Sequence, residues 1–197
     1  MILCIGGKKG SGKSTIAKEL VEKHSFKKLS FADTLKHTLN KYYSIDIHKM
    51  NQEEKEETRE FIVDKELLKI VEEEFDINIK NKNNKQKIVS SARELMQYVG
   101  TDIIRTIDDF AHIRATINNL NDDLSYVIDD TRFCNEVYVA DVSVYLERED
   151  VNSTDIHISE NLSSGVFDFV VNNNSSVDEC LKEIMIIIEH SNSLTKE

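Results

Sequence analysis

A glycine-rich loop between an apolar run and an amphipathic segment constrains the fold of this chain more than any other feature. Ile2 to Ile5 form a short apolar run, typical of a strand that is buried on both faces of a parallel sheet. Gly7 to Ser14 read GKKGSGKS and fit the pattern G-x-x-x-x-G-K-[ST]. From Lys13 to His24, apolar residues recur at helical spacing. The sequence therefore predicts a strand, a loop and a helix in direct succession.

The loop has the composition of a phosphate-binding site. Glycines permit backbone conformations in which successive N–H groups cup a phosphate, and the N-terminus of the next helix adds a partial positive charge. Lys13 is expected to neutralise the β- and γ-phosphate oxygens, and the Ser14 hydroxyl to bind Mg²⁺. The alternative is a solvated glycine turn. The residues expected to bind a nucleoside triphosphate are Gly7, Gly10, Ser11, Gly12, Lys13, Ser14 and Thr15.

The rest of the chain alternates short apolar runs with helical patterns. This alternation predicts a three-layer α/β fold in which helices cover both faces of a five-stranded parallel sheet. Capping boxes predict two helix starts, at Ser91 with Glu94 and at Ser176 with Glu179, and Asp33 is a further candidate N-cap. The other runs expected to form strands are Lys28 to Phe31, Tyr126 to Asp129, Val142 to Leu146 and Phe167 to Val171.

The length of 197 residues predicts a single domain, 1–197, in which one stretch departs from the rest in charge. Between Asp46 and Asp76 there are 12 acidic and 5 basic residues in a helical pattern, and a basic, Asn-rich stretch follows. We expect residues 46–88 to form a charged helical insertion on the surface, because the excess of charge makes a poor core. Thr131 to Asp141 is short for a crossover between parallel strands and leaves room for one helical turn.

Charge and cysteine content narrow the classes of partner. With 25 basic and 36 acidic residues the formal net charge is −11, which repels polyanions, so nucleic acid is not expected as a partner. The three cysteines lack metal-ligand spacing and are typical of reduced cytoplasmic thiols. The apolar N-terminal run is too short to span a bilayer, so no membrane association is expected. The expected location is the cytoplasm, that of the host if the protein is viral, and the sequence leaves a homodimer open.

The stretch YVIDDTRF, residues 126–133, is the first place to look for metal and phosphate ligands. An apolar strand delivers Asp129 and Asp130 to the carboxyl edge of the sheet, where carboxylates bind Mg²⁺ directly or through water. Arg132 follows and could hold a phosphate with two parallel hydrogen bonds. An acidic turn with a surface ion pair is the alternative interpretation.

A second candidate surface lies in SARELMQYVGTDIIR, residues 91–105 with the preceding Ser90. Arg93 and Gln97 are four residues apart and share a helix face, where the first could bind a phosphate and the second a base edge. Gly100 is expected to end this helix, Thr101 to cap the next, and Arg105 to lie in its first turn. The alternative is that Arg93 and Gln97 are ordinary surface residues of a helix.

The chain resembles the deoxynucleoside monophosphate kinases of bacteriophages and other DNA viruses. The resemblance covers most of the chain outside the insertion and implies the P-loop kinase fold, a closing lid at about residues 148–165, and transfer of the ATP γ-phosphate to a deoxynucleoside monophosphate. The cofactors it implies are ATP and Mg²⁺. It rests on five motifs in order: GKKGSGKST (7–15), LSFADTLK (29–36), ARELMQYVGTD (92–102) with Arg105, VIDDTRFCNE (127–136), and IHISENL (156–162) with FDFVVNNN (167–174).

The resemblance also implies roles for individual residues. It places Lys13 and Ser14 at ATP and Mg²⁺, Arg132 near the transferred phosphate, and Arg148 at the start of the lid, so that Lys13, Arg132 and Arg148 are the expected catalytic residues. His157, Ser159 and Glu160 match a lid-side motif whose role does not follow from the residues. The residues implied around the acceptor nucleotide are Asp33, Arg93, Gln97, Thr101, Arg105 and Arg132.

Two other functions remain open at this point. The chain also resembles animal-type phosphomevalonate kinases in its glycine loop, its DDTR strand end and its tail from ISEN to FDFVVNN. Gln97 and the Gly-Thr-Asp sequence favour a nucleotide, because phosphomevalonate needs no base-reading pocket. From another class, the chain could be a non-catalytic nucleotide-binding module that uses its charged insertion as a partner surface. The sequence does not fix the preferred base or a requirement for deoxyribose.

Overall fold

The computed structural model describes residues 1–118, 120–149 and 162–194. The chain divides into two compact units, one formed by Met1–Ser30 with Leu120–Glu197 and the other by Phe31–Asn119. We call them the first and the second unit. No helix in the described ranges is both long and apolar enough to cross a membrane.

The strands and helices follow the predicted alternation. The strands of the described ranges are β1 (Ile2–Gly6), β2 (Lys27–Leu29), β3 (Phe61–Val63), β4 (Lys87–Val89), β5 (Tyr126–Ile128), β6 (Val142–Glu147) and β7 (Phe169–Asn172). The α-helices are α1 (Lys13–His24), α2 (Asp33–Tyr43), α3 (Gln52–Glu56), α4 (Lys65–Phe75), α5 (Ala92–Gln97), α6 (Ala111–Ile117), α7 (Cys134–Val137) and α8 (Val177–Leu194). A π-helix spans Tyr98–Arg105, and short 3₁₀ turns span Lys82–Lys85 and Ser164–Val166.

The first unit is built on a parallel sheet with the strand order β2-β5-β1-β6-β7. Side chains of successive strand residues point to opposite faces, so the two faces of the sheet pack against different elements. Leu3 and Ile5 pack with α1 and α8 in one apolar cluster. On the other face, Tyr145 and Phe167 pack with Val137 of α7. The predicted α/β fold, a five-stranded parallel sheet with helices on both faces, is confirmed.

The crossover from β5 to β6 holds one helical turn, as its length predicted. Glu136, 2% exposed, accepts hydrogen bonds from the backbone N–H groups of Arg132 at 2.7 Å and Phe133 at 3.1 Å. This buried carboxylate of α7 is satisfied by the backbone N–H groups of the N-cap residue Phe133 and of the residue before it. These hydrogen bonds therefore hold the backbone of Arg132 and Phe133 in place, just after Asp129 and Asp130.

The second unit has its own hydrophobic core, to which the acidic stretch contributes. A buried cluster combines Phe61 and Val63 of β3 with the apolar face of α4, and β3 pairs antiparallel with β4. The prediction that residues 46–88 form a solvated surface insertion is wrong for this apolar face. Charge was counted over the whole stretch, whereas the acidic residues of α4 lie on one side and its apolar residues on the other. The residues of this stretch in the core are Ile47, Phe61, Val63, Leu67, Leu68, Val71, Phe75 and Ile79.

The helix that begins after Ser91 continues past Gly100, so the predicted break there is wrong. Ser91 caps α5 by accepting from the Glu94 N–H at 3.1 Å, as predicted. The chain then passes into the π-helix and keeps helical hydrogen bonding to Arg105. Gly100 lets the helix pack closely against α2 instead of making a turn, since a Cβ there would lie 2.8 Å from a Leu35 methyl carbon. Sequence alone does not separate these two uses of glycine.

Two further local predictions change with these helix boundaries. Arg105 lies at the C-terminal end of the π-helix, where the helix dipole favours a cation, and not in a first turn. Asp33 is the first residue of α2, and Ala32 occupies the N-cap position without a side-chain hydrogen bond. Asp33 therefore supports α2 as an acidic first-turn residue and is not its cap.

A buried histidine ties α6 to the π-helix. His112 is 5% exposed, and its Nε2 donates to the Gly100 carbonyl oxygen at 3.1 Å. Burial lowers the pKa of His112 to about 4, and the positive charge of Arg105 acts in the same direction. The unfolded chain binds a proton at this histidine below about pH 6.5, whereas the folded chain does so only below about pH 4. His112 therefore makes stability fall as pH falls from about 6.5 to about 4.

We predict that His112→Gln removes this part of the acid sensitivity. The variant keeps an N–H donor for Gly100 but has no group that titrates in this window. Chemical denaturation at pH 7 and at pH 4 should show that the wild type loses on the order of 3 kcal/mol more than the variant. His37→Gln, which changes an exposed histidine of α2, should keep the wild-type pH dependence. An equal loss of unfolding free energy between pH 7 and pH 4 in the wild type and in His112→Gln would contradict the prediction.

Candidate functional site

The glycine loop of the first unit folds into the turn that its sequence predicted. Gly7 and Gly12 have φ angles of 137° and 96°, a region that side chains disfavour. Gly7 also lies against β6, since a Cβ there would be 2.5 Å from the Leu146 carbonyl oxygen. Inside the loop the Ser11 N–H donates to the Lys8 carbonyl at 3.1 Å. The residues predicted to bind a triphosphate therefore lie together in this loop and in the first turn of α1.

Lys13 folds back over this loop. Its Nζ donates to the carbonyl oxygens of Gly7 at 2.7 Å and Lys8 at 2.8 Å. Both acceptors are neutral, so these contacts fix the ammonium group at the loop without cancelling its charge. Ser14 and Thr15 are exposed in the first turn of α1, which contains no acidic residue. The N-terminus of α1 is therefore electropositive and suited to an anion.

The two aspartates after β5 lie at the carboxyl edge of the same sheet, but in different environments. Asp129 is buried, and its Oδ2 accepts from Lys28 Nζ at 2.8 Å. Asp130 is half-buried, and its Oδ2 accepts from the Ser30 hydroxyl at 2.6 Å. Lys28 was not predicted as a site residue, because only the pairing of β2 with β5 brings it next to Asp129. Arg132 lies just beyond, with an exposed side chain.

The predicted oxygen ligands for Mg²⁺ differ in how well their surroundings suit metal binding. The described residues include no cluster of three or more His, Cys, Asp and Glu side chains that could hold a metal. Mg²⁺ bound with phosphates usually takes only one or two protein oxygens and fills its shell with phosphate and water. The exposed Ser14 hydroxyl and the Asp130 carboxylate fit such a site. Asp129 fits less well because Lys28 neutralises it, and its role in metal binding stays a prediction.

Arg148 is exposed and directly follows β6. The next residue, Glu149, donates its backbone N–H to Asn174 Oδ1 at 2.9 Å, which ties this segment to the turn after β7. The remainder of the predicted lid up to residue 161, with His157, Ser159 and Glu160, lies outside the described residues. The roles predicted for Arg148 and for these three residues stay predictions.

In the second unit, four of the six predicted acceptor residues lie at intervals of four along the helix formed by α5 and the π-helix. The Nε atom of Arg93 is paired with the Glu56 carboxylate of α3. Gln97 is half-buried and Thr101 is exposed. Arg105 donates from a terminal guanidinium nitrogen to the Asp109 carbonyl oxygen at 3.3 Å. The contact of Arg93 with Glu56 was missed, because it joins two segments that the sequence does not relate.

Asp33 lies on α2, a different element of the second unit. Its exposed carboxylate is 3.3 Å from Lys36 Nζ and 3.5 Å from His48 Nε2. Asp33 therefore lies among basic side chains, and its predicted contact with a nucleotide stays a prediction.

Comparisons with known proteins bear on the class of chemistry. A protein of Acanthamoeba polyphaga mimivirus, provisionally named a deoxynucleotide monophosphate kinase, is 25% identical over 98% of this chain and 99% of its own length. Shikimate kinase from Aquifex aeolicus is similar in structure, with a TM-score of 0.43 and 10% identity over 98% of this chain and 99% of its own. Dephospho-CoA kinase from Campylobacter jejuni has the same TM-score and 14% identity over 96% of each chain. Neither structural likeness is close enough to bear on the substrate.

A family-level match covers the chain from before α3 into α8. The sequence profile of the deoxynucleotide monophosphate kinase family matches residues 45–184, which is more than half of the chain. The match includes the helix with Arg93 and Gln97 and the β5 edge with Asp129, Asp130 and Arg132. It begins after the glycine loop, so the loop motif supports nucleotide chemistry independently of the match. The chain belongs to the deoxynucleotide monophosphate kinase family.

Proposed function

We propose that this protein transfers the γ-phosphate of ATP to a deoxynucleoside monophosphate and releases the deoxynucleoside diphosphate and ADP. Membership of a kinase family makes the chain a phosphotransferase, and the proposal concerns the donor and the acceptor. One observation carries it. Lys13 is held over a glycine loop at the N-terminus of α1, as a triphosphate donor requires, in a chain that otherwise matches monophosphate kinases.

The proposal assigns the donor nucleotide to the first unit. The loop N–H groups and Lys13 bind the β- and γ-phosphates, with Ser11 in the loop and Thr15 in the first turn of α1 as further residues of the site. Ser14 and Asp130 would hold Mg²⁺, which when bound neutralises charge on the phosphates. Arg132 and Arg148 supply further positive charge to the transferred group.

The proposal assigns recognition of the acceptor to the second unit. Arg93 binds the monophosphate, and Gln97 binds the base edge, for which its amide offers both a donor and an acceptor. Asp33, Thr101 and Arg105 are the other residues of this unit assigned to the acceptor, and Arg132 is the residue of the first unit assigned to its phosphate. The acceptor phosphate has a second pKa near about 6 and is already ionised at neutral pH, so transfer needs no general base. Catalysis then depends on positive charge and alignment.

An ADP-release screen tests the proposal. Purified protein with ATP and Mg²⁺ is supplied in turn with each deoxynucleoside monophosphate, each ribonucleoside monophosphate and phosphomevalonate. We expect ADP only when a deoxynucleoside monophosphate is present. If ADP forms with phosphomevalonate and with no nucleotide, phosphomevalonate is the acceptor and the proposal is wrong. If ADP forms without any acceptor, the protein is a hydrolase. Binding of ATP without ADP formation in any mixture would identify a non-catalytic module.

We predict that Gln97→Ala flattens the preference among deoxynucleoside monophosphates more than it lowers activity on the best one. A side-chain amide that binds one base edge discriminates among bases, because a mismatched base leaves polar groups unpaired. The measurement is kcat/KM for the four deoxynucleotides with the wild type and the variant. Gln86→Ala, which removes an exposed amide from the loop before β4, should keep the wild-type ranking. An unchanged ranking in Gln97→Ala would assign base recognition to other residues.

A further inference from the structure

The turn that follows β7 contacts the glycine loop through one buried amide. Asn173 is 7% exposed, and its Nδ2 donates to the Ser11 carbonyl oxygen at 2.7 Å, a contact between residues 162 positions apart. The backbone N–H of Asn173 donates to the Glu147 carbonyl at 2.8 Å, beyond the last β6–β7 pair. The backbone of Asn173 is therefore anchored to the sheet, while its side-chain amide is hydrogen-bonded to the loop.

The same amide accounts for the glycine at position 12. A Cβ built on Gly12 would collide with Asn173 Nδ2. Gly12 also has a positive φ of 96°, a backbone conformation that glycine adopts readily and that any residue with a side chain would adopt only with strain. The side-chain amide of Asn173 therefore explains two features of the loop. It donates to the Ser11 carbonyl, and it occupies the space that a side chain at position 12 would need.

The contact fixes the orientation of one peptide plane. The Ser11 carbonyl and the Gly12 N–H belong to the same peptide, and in a trans peptide they point in opposite directions. Because the Ser11 carbonyl is hydrogen-bonded to Asn173, the Gly12 N–H points away from the turn that follows β7. The Ser11 hydroxyl is buried and has no hydrogen-bond partner in the part of the chain that the structure describes, so it does not hold this peptide instead.

We propose that Asn173 is a positioning residue for the triphosphate, since its amide orients the Ser11–Gly12 peptide so that the Gly12 N–H is directed at phosphate. This inference rests on the proposed binding of ATP by the glycine loop. Only a donor serves in this position, because the partner is a carbonyl oxygen. Asp has the shape of Asn without the donor, and Ala removes the group altogether.

Calorimetric titration with MgATP tests the proposal on the full chain. Asn173→Asp and Asn173→Ala should each raise the Kd of MgATP at least roughly tenfold, because a loop that is displaced slightly no longer fits its ligand. Asn172→Asp is the matched control, since it adds the same charge at the exposed neighbouring residue of β7. Its Kd should stay within about twofold of the wild type. Circular dichroism and thermal unfolding establish that each variant is folded at the temperature of the titration.

The outcomes separate this inference from the proposed function. If the wild type does not bind MgATP, both are overturned. If the wild type binds and the folded Asn173 variants bind equally well, the role of Asn173 is overturned and ATP binding stands. If neither Asn173 variant folds, Asn173 is a residue of the fold and the positioning role is likewise overturned. Weaker MgATP binding by folded Asn173 variants, with the Asn172→Asp control unchanged, supports the proposal.

Discussion

Lys13→Ala is expected to lower kcat for phosphoryl transfer at least about a hundredfold while the fold is kept. Stabilisation of charge in the transition state by a single positioned group is typically worth about 3 kcal/mol or more. Lys13 brings a positive charge to the loop, where the carbonyl oxygens of Gly7 and Lys8 accept hydrogen bonds from its ammonium group. Steady-state ADP release at saturating ATP and acceptor measures the loss, and circular dichroism verifies the fold.

Lys18→Ala is the control for Lys13→Ala. It removes a lysine of the same helix whose side chain is 69% exposed and is paired only loosely with Glu22, at 3.7 Å. Its turnover should match that of the wild type, because an exposed pair of this kind contributes little. Turnover by a folded Lys13→Ala protein at the wild-type rate would contradict the role assigned to the loop.

Arg93→Ala and Arg132→Ala are expected to lower kcat/KM for the acceptor roughly a hundredfold and to change the affinity for ATP by no more than a few fold. Removal of a hydrogen bond to a charged group costs about 2 to 3 kcal/mol. Pairing of the Arg93 Nε with Glu56 leaves its terminal nitrogens as donors suited to a phosphate. Kinetics with varied acceptor, together with a direct ATP titration, separate the two affinities.

Arg59→Ala provides the arginine control in the second unit. Arg59 is exposed, and its guanidinium lies 5.4 Å from the centre of the Phe61 ring, so its loss changes surface charge and a ring contact. Its kcat/KM should stay near the wild-type value. Equal weakening of ATP binding and acceptor binding by Arg132→Ala would contradict the assignment of Arg132 to the acceptor phosphate.

The sheet and the glycine loop were predictable because their signals are local. The central strands β1, β5 and β6 are buried on both faces and are continuous apolar runs in the sequence. Each of the five predicted runs overlaps a strand of the sheet. The loop motif specifies its own turn, since Gly7 and Gly12 adopt the conformations that glycine permits. The capping pair Ser176 and Glu179 likewise forms the reciprocal contacts that its spacing predicted, both at 3.3 Å.

The errors arose where a local pattern has two physical outcomes. A glycine late in a helical run either ends the helix or permits close packing, and Gly100 does the second against Leu35. A charged stretch is either solvated throughout or amphipathic, and α4 is amphipathic. Three-residue strands such as β3 and β4 are too short for a period of two to be recognised.

The contacts that matter most to the candidate site are non-local and could not be predicted. Lys28 meets Asp129, Glu56 meets Arg93, and Asn173 meets Ser11 across separations of 101, 37 and 162 positions. A single sequence gives no pairing information at such distances. These contacts also explain why the motifs alone do not rank the two aspartates as metal ligands.

Direct identification of the phosphorylated product tests the central claim. ATP labelled with ³²P at the γ-position is incubated with Mg²⁺, the protein and one deoxynucleoside monophosphate at a time, and the products are separated by chromatography. We predict that the label moves into the deoxynucleoside diphosphate with the preferred base, that it does so in proportion to the ADP formed, and that Lys13→Ala abolishes the transfer. Label that stays in ATP with every deoxynucleoside monophosphate, or appears as inorganic phosphate irrespective of acceptor, would contradict the account.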